Sequence, residues 1–126
     1  MKHVYKPERL LVRKGCVSVT GIVVGRKAED DGDLHMRLRI DPGQGRGWLN
    51  KKNATIQKGA LVFEPLCIRT VKQKSAKKAC KGFKQDLDIP ANGTHVRTTG
   101  IHVLDNEPGY GWREIHPVTK TEVLSP

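Results

Sequence analysis

A strict alternation of polar and apolar residues runs through Asp33-Leu34-His35-Met36-Arg37-Leu38-Arg39-Ile40. Successive side chains of an extended strand point to opposite faces of a sheet, so the apolar residues share one face and the polar residues share the other. Such a strand packs one face on a core and leaves the other face open. The stretch therefore predicts a β-sheet with one buried face, and it places Arg37 and Arg39 on the open face.

Further strands are predicted on both sides of this stretch. Cys16–Val24 and Thr94–Leu104 are rich in β-branched residues, which favour strands. Each is interrupted by a glycine, Gly21 or Gly100, and a glycine inside a strand indicates a bulge or a bend. The remaining predicted strands are Ala60–Ile68 and Trp112–Leu124.

The segment Gln73–Cys80 is rich in alanine and lysine and is compatible with a short helix, which Gly82 would end. Three strands, a helix and two further strands are the element order of the oligonucleotide/oligosaccharide-binding (OB) barrel. We therefore predict an all-β, five-stranded OB-like barrel with a short helix between strands 3 and 4. It forms a single domain over residues 1–126, with a basic N-terminal lead-in over 1–15 and a Lys-rich helix or loop over 69–84.

The charge of the chain favours an anionic partner. There are 23 Lys and Arg residues against 13 Asp and Glu residues, which leaves a formal net charge of +10 at pH 7. A positive field of this size attracts nucleic acid, anionic lipid or acidic polysaccharide. The alternative, that the excess charge only keeps the protein in solution, stays open.

Basic and aromatic residues supply the predicted nucleic-acid contacts. Arg37 and Arg39 lie on the second strand, which with the third strand is the usual ligand platform of an OB barrel. Trp48 and Tyr110 are expected in loops, where their rings are placed to stack on bases. The predicted lysine contacts are Lys51, Lys52, Lys72, Lys74, Lys77, Lys78 and Lys81.

The cysteines and the apolar runs bear on the location of the protein. Cys16, Cys67 and Cys80 form no Cys-x-x-Cys pair, so we expect three buried, reduced thiols, and a Cys67–Cys80 disulfide remains open for an exported form. No run approaches the roughly 18 apolar residues needed to cross a bilayer, and the N-terminus does not resemble a signal peptide. We expect a small soluble domain whose location stays open, with the cytoplasm favoured and an exported form possible, and the sequence also leaves its oligomeric state open.

Four residues form the one constellation with an enzymatic character. Asp33 and His35 share one strand face, and Glu114 and His116 share another by the same period of two. Together they are candidates for binding Zn²⁺, Mn²⁺ or Mg²⁺, or for acid–base catalysis with His35, Glu114 and His116. In the OB strand order the third strand separates the second from the last, so we expect the two pairs not to meet, and we predict no cofactor with a divalent metal left open.

Several segments resemble a family of small bacterial and archaeal domains. They are Tyr5-Lys6-Pro7-Glu8-Arg9-Leu10, Cys16-Val17-Ser18-Val19-Thr20-Gly21, Asp31-Gly32-Asp33-Leu34-His35, Leu49-Asn50-Lys51-Lys52-Asn53, Val62-Phe63-Glu64-Pro65-Leu66-Cys67 and Trp112-Arg113-Glu114-Ile115-His116-Pro117-Val118. The resemblance implies an OB-like fold and carries no activity with it. Relatives typically have His-Gly-Trp where this chain has Tyr110-Gly111-Trp112, which argues against any function that needs that histidine.

Three functions follow from these observations. A module that binds nucleic acid, most directly single-stranded DNA or RNA, uses the largest number of them. An interaction or envelope-associated domain for an acidic glycan or a protein comes second, and a metal-dependent hydrolase or nuclease comes third. Asp31-Gly32-Asp33 and Ile40-Asp41-Pro42 are similar to motifs of thermonuclease-type enzymes, but those enzymes have a whole strand between the two motifs, so we do not expect that activity here.

Overall fold

The computed structural model describes residue 4 and residues 6–28, 32–45, 47–65 and 89–124. The chain begins with a short 3-10 helix, Pro7–Arg9, which is followed by five strands and one α-helix. In chain order these elements are β1 (Leu10–Ala28), β2 (Leu34–Ile40), α1 (Lys51–Ile56), β3 (Leu61–Phe63), β4 (His95–Asp105) and β5 (Arg113–Val123).

The five strands form one closed, barrel-like sheet in the order β1-β2-β3-β5-β4. The pairs β1–β2, β2–β3, β1–β4 and β4–β5 are antiparallel, and β3 and β5 are parallel. The prediction of an all-β, five-stranded sheet is therefore confirmed. The second strand has the bounds that its alternation indicates, and its side chains Leu34, Met36 and Leu38 are buried in the core.

The core is made of aliphatic side chains and one phenylalanine from all five strands. Hydrophobic burial of this kind contributes about 1.5–3 kcal/mol for each fully buried large side chain. The buried members of the cluster are Val19, Val23, Leu34, Met36, Leu38, Leu61, Phe63, Val96, Ile115 and Val118. A second, smaller cluster forms where Val4 and Leu10 pack on Val103.

Two glycines allow the strands to approach closely enough to close the sheet. A Cβ atom at Gly21 would collide with the carbonyl oxygen of Arg39, and one at Gly100 would collide with the carbonyl oxygen of Pro117. The pairing of β4 with β5 also shifts register on both sides of Gly100. Gly100 therefore lies at a bulge, as the sequence predicts, while Gly21 is required by a close backbone approach.

Two expectations about the elements need correction. The first strand begins at Leu10, so the second half of the predicted lead-in is strand, because it pairs with β4 from Leu10 onward. The sequence predicts one helix, between the third and fourth strands, but the described helix α1 (Lys51–Ile56) lies between β2 and β3. The helix predicted over residues 73–80 and the disulfide left open between Cys67 and Cys80 lie outside the described residues.

Two further observations concern the cysteines and the apolar segments. Cys16 is exposed and has no disulfide partner, so the expectation that it is buried is wrong. It lies in the part of β1 where the pairing with β4 is interrupted between Lys14 and Val17, and its side chain does not reach the core. Within the described residues, no helix has the length and apolar character that crossing a bilayer requires.

Candidate functional site

The candidate site lies on the outer face of the barrel. Phe63 and Ile115 point into the core, so their neighbours Glu64, Glu114 and His116 point to the opposite side of the sheet. The same alternation turns His35 outward from β2. The outer faces of β2, β3 and β5 therefore supply the side chains of one pocket.

The shortness of β3 brings β2 and β5 together. The parallel pairing of β3 with β5 sets Val62 opposite Glu114, and just beyond it the backbone N–H of Glu64 donates to the carbonyl oxygen of Ile115 at 3.0 Å. On the other side, the N–H of Leu34 donates to the carbonyl oxygen of Pro65 at 3.1 Å. The start of β2 and the middle of β5 thus meet just beyond the end of β3.

A cluster of buried ionisable side chains lies where these strands meet. His116 is fully buried, and its Nδ1 atom lies 2.9 Å from Glu64 Oε2 and 2.9 Å from Glu114 Oε1. Its other ring nitrogen, Nε2, lies 3.5 Å from Asp33 Oδ2. The expectation that the Asp33–His35 pair and the Glu114–His116 pair do not meet is therefore wrong, and Glu64, which directly follows β3, links them.

The outer oxygens of the two glutamates are held by aromatic side chains. The indole Nε1–H of Trp112 donates to Glu114 Oε2 at 2.6 Å. His35 Nδ1 lies 3.2 Å from Glu64 Oε1, while His35 Nε2 donates to Gln57 Oε1 at 3.1 Å. Each glutamate therefore has one oxygen fixed from outside and the other directed at His116.

The cluster shifts the pKa values of its members in opposite directions. Burial, followed by the charge of Glu64, raises the pKa of Glu114 to about 7. Burial acts to lower the pKa of His116, but the charge of Glu64 and the closeness of the Asp33, Glu114 and Glu64 carboxyl groups to its ring nitrogens raise it well above its usual value. Burial also opposes ionisation of Glu64, yet the charges and hydrogen bonds of His116 and His35 hold its pKa well below the usual range. A perturbed cluster in a pocket is typical of functional sites.

Helix α1 positions Gln57 beside this cluster. The helix begins with a capping box, in which the Asn50 side chain accepts from the N–H of Asn53 and the Asn53 side chain accepts from the N–H of Asn50. The Asn53 side chain also donates to the carbonyl oxygens of Ala60 and Arg113 and accepts from the N–H of Arg113. Gln57, just after the helix, then accepts from Arg37 Nε at 2.8 Å, which keeps Arg37 at the pocket.

Glu64 and Glu114 form the floor of a cavity of about 720 Å³, and the fully buried His116 contacts both of them. One wall is aromatic, because Tyr110 stacks on Trp112 with a ring separation of 4.4 Å and an interplanar angle of 18°. Tyr110 remains 42% exposed, which leaves ring surface available to a ligand. Five basic side chains line the cavity: Lys6, Arg9, Arg26, Lys27 and Arg37.

A second buried carboxyl group lies at the edge of the floor. Asp105 forms an ion pair with Arg9 and accepts from the backbone N–H of Glu107 at 3.1 Å. Burial raises the pKa of Asp105, and the charge of Arg9 opposes that rise. Carboxyl groups at the floor and basic groups around them give the cavity a strong polarity from bottom to mouth.

The structure brings together all four residues of the predicted constellation: Asp33, His35, Glu114 and His116. Glu64 is not among the four residues of that constellation. A charged residue directly after the buried run Ala60–Phe63, and directly before Pro65, was the available signal. Its role depends on the parallel partner of β3, which the sequence does not reveal.

The predicted nucleic-acid contacts are distributed unevenly. Arg37 and Tyr110 line the pocket, although Arg37 is half-buried rather than fully open. Arg39 is exposed on β2, and Lys51 and Lys52 are exposed on α1. The predicted contacts Lys72, Lys74, Lys77, Lys78 and Lys81 lie outside the described residues.

The expectation of an available ring at Trp48 is corrected by the structure. Its side chain is half-buried against the core and packs on His102 with a ring separation of 5.0 Å. Its indole N–H donates to the carbonyl oxygen of Gln44 at 2.9 Å. The ring of Trp48 is therefore less accessible for stacking on a base than that of Tyr110.

Comparison with protein-family models, with curated proteins and with solved structures found no match to this chain. The interpretation of the site therefore depends on the geometry of its own residues. That geometry combines an aromatic wall, a basic lining and a buried floor of carboxyl and imidazole groups.

Proposed function

We propose that this chain binds single-stranded nucleic acid at the mouth of the pocket. The observation that carries the proposal is the stacked pair of Tyr110 and Trp112 beside basic side chains. Stacking of a base on an aromatic ring is worth about 1–3 kcal/mol and tolerates any base, while phosphates need only positive charge nearby. An exposed tyrosine supported from behind by a buried tryptophan provides a rigid surface for such stacking.

The charges around the mouth support a polyanionic ligand. Arg26 and Lys27 are exposed at the end of β1, where they line the cavity. Phosphates that contact them would release counterions, so affinity should fall steeply as salt is added. The net charge of +10 attracts the same ligand at longer range.

The strand order supports the finer assignment to the OB class. A barrel-like ring in the order β1-β2-β3-β5-β4 offers the outer face of β2 and β3 as a ligand platform, and the pocket lies over that face. We also propose that this chain belongs to the OB-like family whose segments its sequence resembles. An OB-like fold by itself does not select a ligand, so the proposal depends on the pocket.

Fluorescence anisotropy with labelled single-stranded DNA, single-stranded RNA and duplex DNA over a salt series tests the proposal. We expect single strands to bind with a steep salt dependence. Tyr110→Ala should weaken binding by about 5–150-fold, which corresponds to the loss of one stacked base, and Tyr110→Phe should retain it. Neutralising Arg26 and Lys27 together should reduce both the affinity and the salt dependence, while the control Lys120→Ala on β5 should change little.

Three outcomes would contradict the proposal. If no single strand binds at low salt, the chain is not a nucleic-acid module. If a heparin-like polymer competes with every oligonucleotide and Tyr110→Ala has no effect, the ligand is an acidic glycan recognised by charge alone. Binding of duplex DNA in preference to single strands would also exclude a role for base stacking.

Hydrolysis is a second candidate function, and the buried cluster at the cavity floor favours it. Glu64 and Glu114 line the cavity directly, so a ligand at the mouth has carboxyl groups beneath it. The same binding assay with added Mg²⁺, Mn²⁺ or Zn²⁺ and gel analysis of the oligonucleotide tests for cleavage. Cleavage that is lost in Glu64→Gln but kept in the rim variant Glu107→Gln would support an enzyme.

A further inference from the structure

Three atoms at the cavity floor converge on one point. They are Glu64 Oε2, Glu114 Oε1 and His116 Nδ1, and the ligand atoms of these three buried residues lie within 4.8 Å of one another. The imidazole nitrogen carries at most one proton, and two carboxylate oxygens compete for it. Where Glu64, Glu114 and His116 meet, three potential ligand atoms are therefore linked only by the one proton that His116 Nδ1 can carry.

The outer side of each residue is already held in place. Trp112 donates to the other oxygen of Glu114, and His35 lies beside the other oxygen of Glu64. In metal sites the ligating carboxylates are commonly hydrogen-bonded in this way, which fixes the oxygen that faces the ion. The two glutamates are therefore oriented as metal ligands are.

His116 provides a second and independent observation. Its Nε2 atom is buried and makes no hydrogen bond within the described part of the chain, yet it faces Asp33 Oδ2 at 3.5 Å. A histidine that binds a metal through one nitrogen almost always donates the other N–H to a carboxylate or carbonyl. A shift of a few tenths of an ångström would complete this hydrogen bond between His116 and Asp33.

The distances fit a metal ion at the point of convergence. Two ligand atoms about 2.1 Å from an ion are about 3.0 Å apart at the right angle of octahedral coordination and about 3.4 Å apart at the tetrahedral angle that Zn²⁺ prefers. His116 Nδ1 is 2.9 Å from each glutamate oxygen. These two separations suit octahedral Mn²⁺ directly, and tetrahedral Zn²⁺ would require the ligand atoms to move apart by about 0.5 Å.

The charges also favour a cation. Asp33, Glu64 and Glu114 are all buried around His116, and His35 also contacts Glu64, so two imidazoles supply at most two positive charges to three carboxyl groups. Buried carboxylates are stable when they are paired or when they coordinate a metal. A divalent ion would balance the excess and release the proton from His116 to solvent.

We propose that Glu64, Glu114 and His116 bind one divalent transition-metal ion, Zn²⁺ or Mn²⁺, at the floor of the cavity. The imidazole ligand favours these ions over Mg²⁺ and Ca²⁺, which prefer oxygen ligands alone. Three protein ligands leave coordination positions open toward the cavity, as in catalytic rather than structural sites. This inference goes beyond the proposed nucleic-acid binding and does not depend on it.

Titration of metal-stripped protein with Mn²⁺, followed by electron paramagnetic resonance of the free ion, tests the proposal without any nucleic acid. Mn²⁺ is chosen because cysteine thiols bind it poorly, so Cys16 cannot imitate the site. We expect one bound Mn²⁺ per chain, displaced by one equivalent of Zn²⁺. Glu64→Gln and His116→Ala should weaken binding by more than the about 10–100-fold expected for Asp33→Asn.

The test also includes a matched control variant and an NMR measurement on the wild-type protein. Asp41→Asn, which alters the His95–Asp41 pair elsewhere on the barrel, should leave Mn²⁺ affinity unchanged. In wild-type protein, Zn²⁺ should shift the indole N–H resonance of Trp112, which is bonded to Glu114, and not that of Trp48. Absence of bound Mn²⁺, equal affinity in Glu64→Gln, or an unshifted Trp112 resonance would overturn the proposal, whatever the result with oligonucleotides.

Discussion

Glu64 directs its Oε2 atom at Nδ1 of His116, 2.9 Å away, from the position directly after β3, the strand that runs parallel to the one carrying the histidine. This contact links the two pairs of polar residues that alternate along β2 and β5. It also forms the centre of the cavity floor, since both residues are nearly or fully buried. The chemical character of the site therefore depends on one parallel strand pairing.

Gly100→Ala should destabilise the barrel by about 1–3 kcal/mol, which is the usual cost of adding a methyl group where no space exists. The new Cβ would meet the carbonyl oxygen of Pro117 and lie 2.7 Å from Cγ2 of Ile115. Urea denaturation measures the change in the free energy of unfolding. Gly15→Ala is the matched control: its Cβ would meet no atom within 4 Å, so stability should change by less than about 0.5 kcal/mol.

Asn53→Ala should cost about 2–4 kcal/mol of stability, because several buried backbone groups lose their partner at once. The Asn53 side chain donates to Ala60 and Arg113 and accepts from the N–H of Arg113 at 2.8 Å. The loss should also release α1 and weaken the hold of Gln57 on Arg37. Thermal unfolding compares this variant with Thr55→Ala, an exposed position on the same helix where we expect almost no change. Equal behaviour of the two variants would contradict the bridging role of Asn53.

Acid should weaken the contact between Asp41 and His95. Hydrogen bonds from His95 and Thr20 lower the pKa of Asp41 below its usual value of 3.8. Because the folded pKa is the lower one, this contribution to stability is present above about pH 4 and is lost as pH falls through the lowered value. Carboxyl ¹³C NMR measures the pKa directly. In Thr20→Val the pKa of Asp41 should rise toward the usual value, and an unchanged pKa would show that Thr20 has no part in the shift.

The sequence predicts the sheet better than it predicts the site. The alternation at Leu34–Ile40 defines β2 correctly, because side chains on one buried face impose a period of two. The glycine in the fourth strand also indicates its bulge correctly. Such features depend on local spacing, which can be read without knowing the fold.

The site depends on relationships that are distant in sequence. Glu64 becomes important because β3 lies beside β5, and residues 64 and 116 are far apart in the chain. Helix α1 is short and is fixed by the Asn50–Asn53 capping box and by contacts to Arg113, so its own composition gives little signal. The contact of Trp48 with His102 likewise joins residues that are distant in the sequence, so it could not be predicted from local spacing.

The central claim is that the pocket lined by Tyr110 and Trp112 is the ligand-binding face. The two indole N–H resonances, recorded by ¹⁵N-correlated NMR during titration with a short single-stranded oligonucleotide, test it most directly. Trp112 lies in the pocket wall, while Trp48 is bonded to Gln44 outside the pocket lining and serves as an internal control. We predict that the Trp112 resonance shifts with the backbone signals of Arg26 and Lys27, and that the Trp48 resonance stays in place. A shift of Trp48 alone, or shifts confined to residues such as Lys120 while Trp112 is unchanged, would contradict the account.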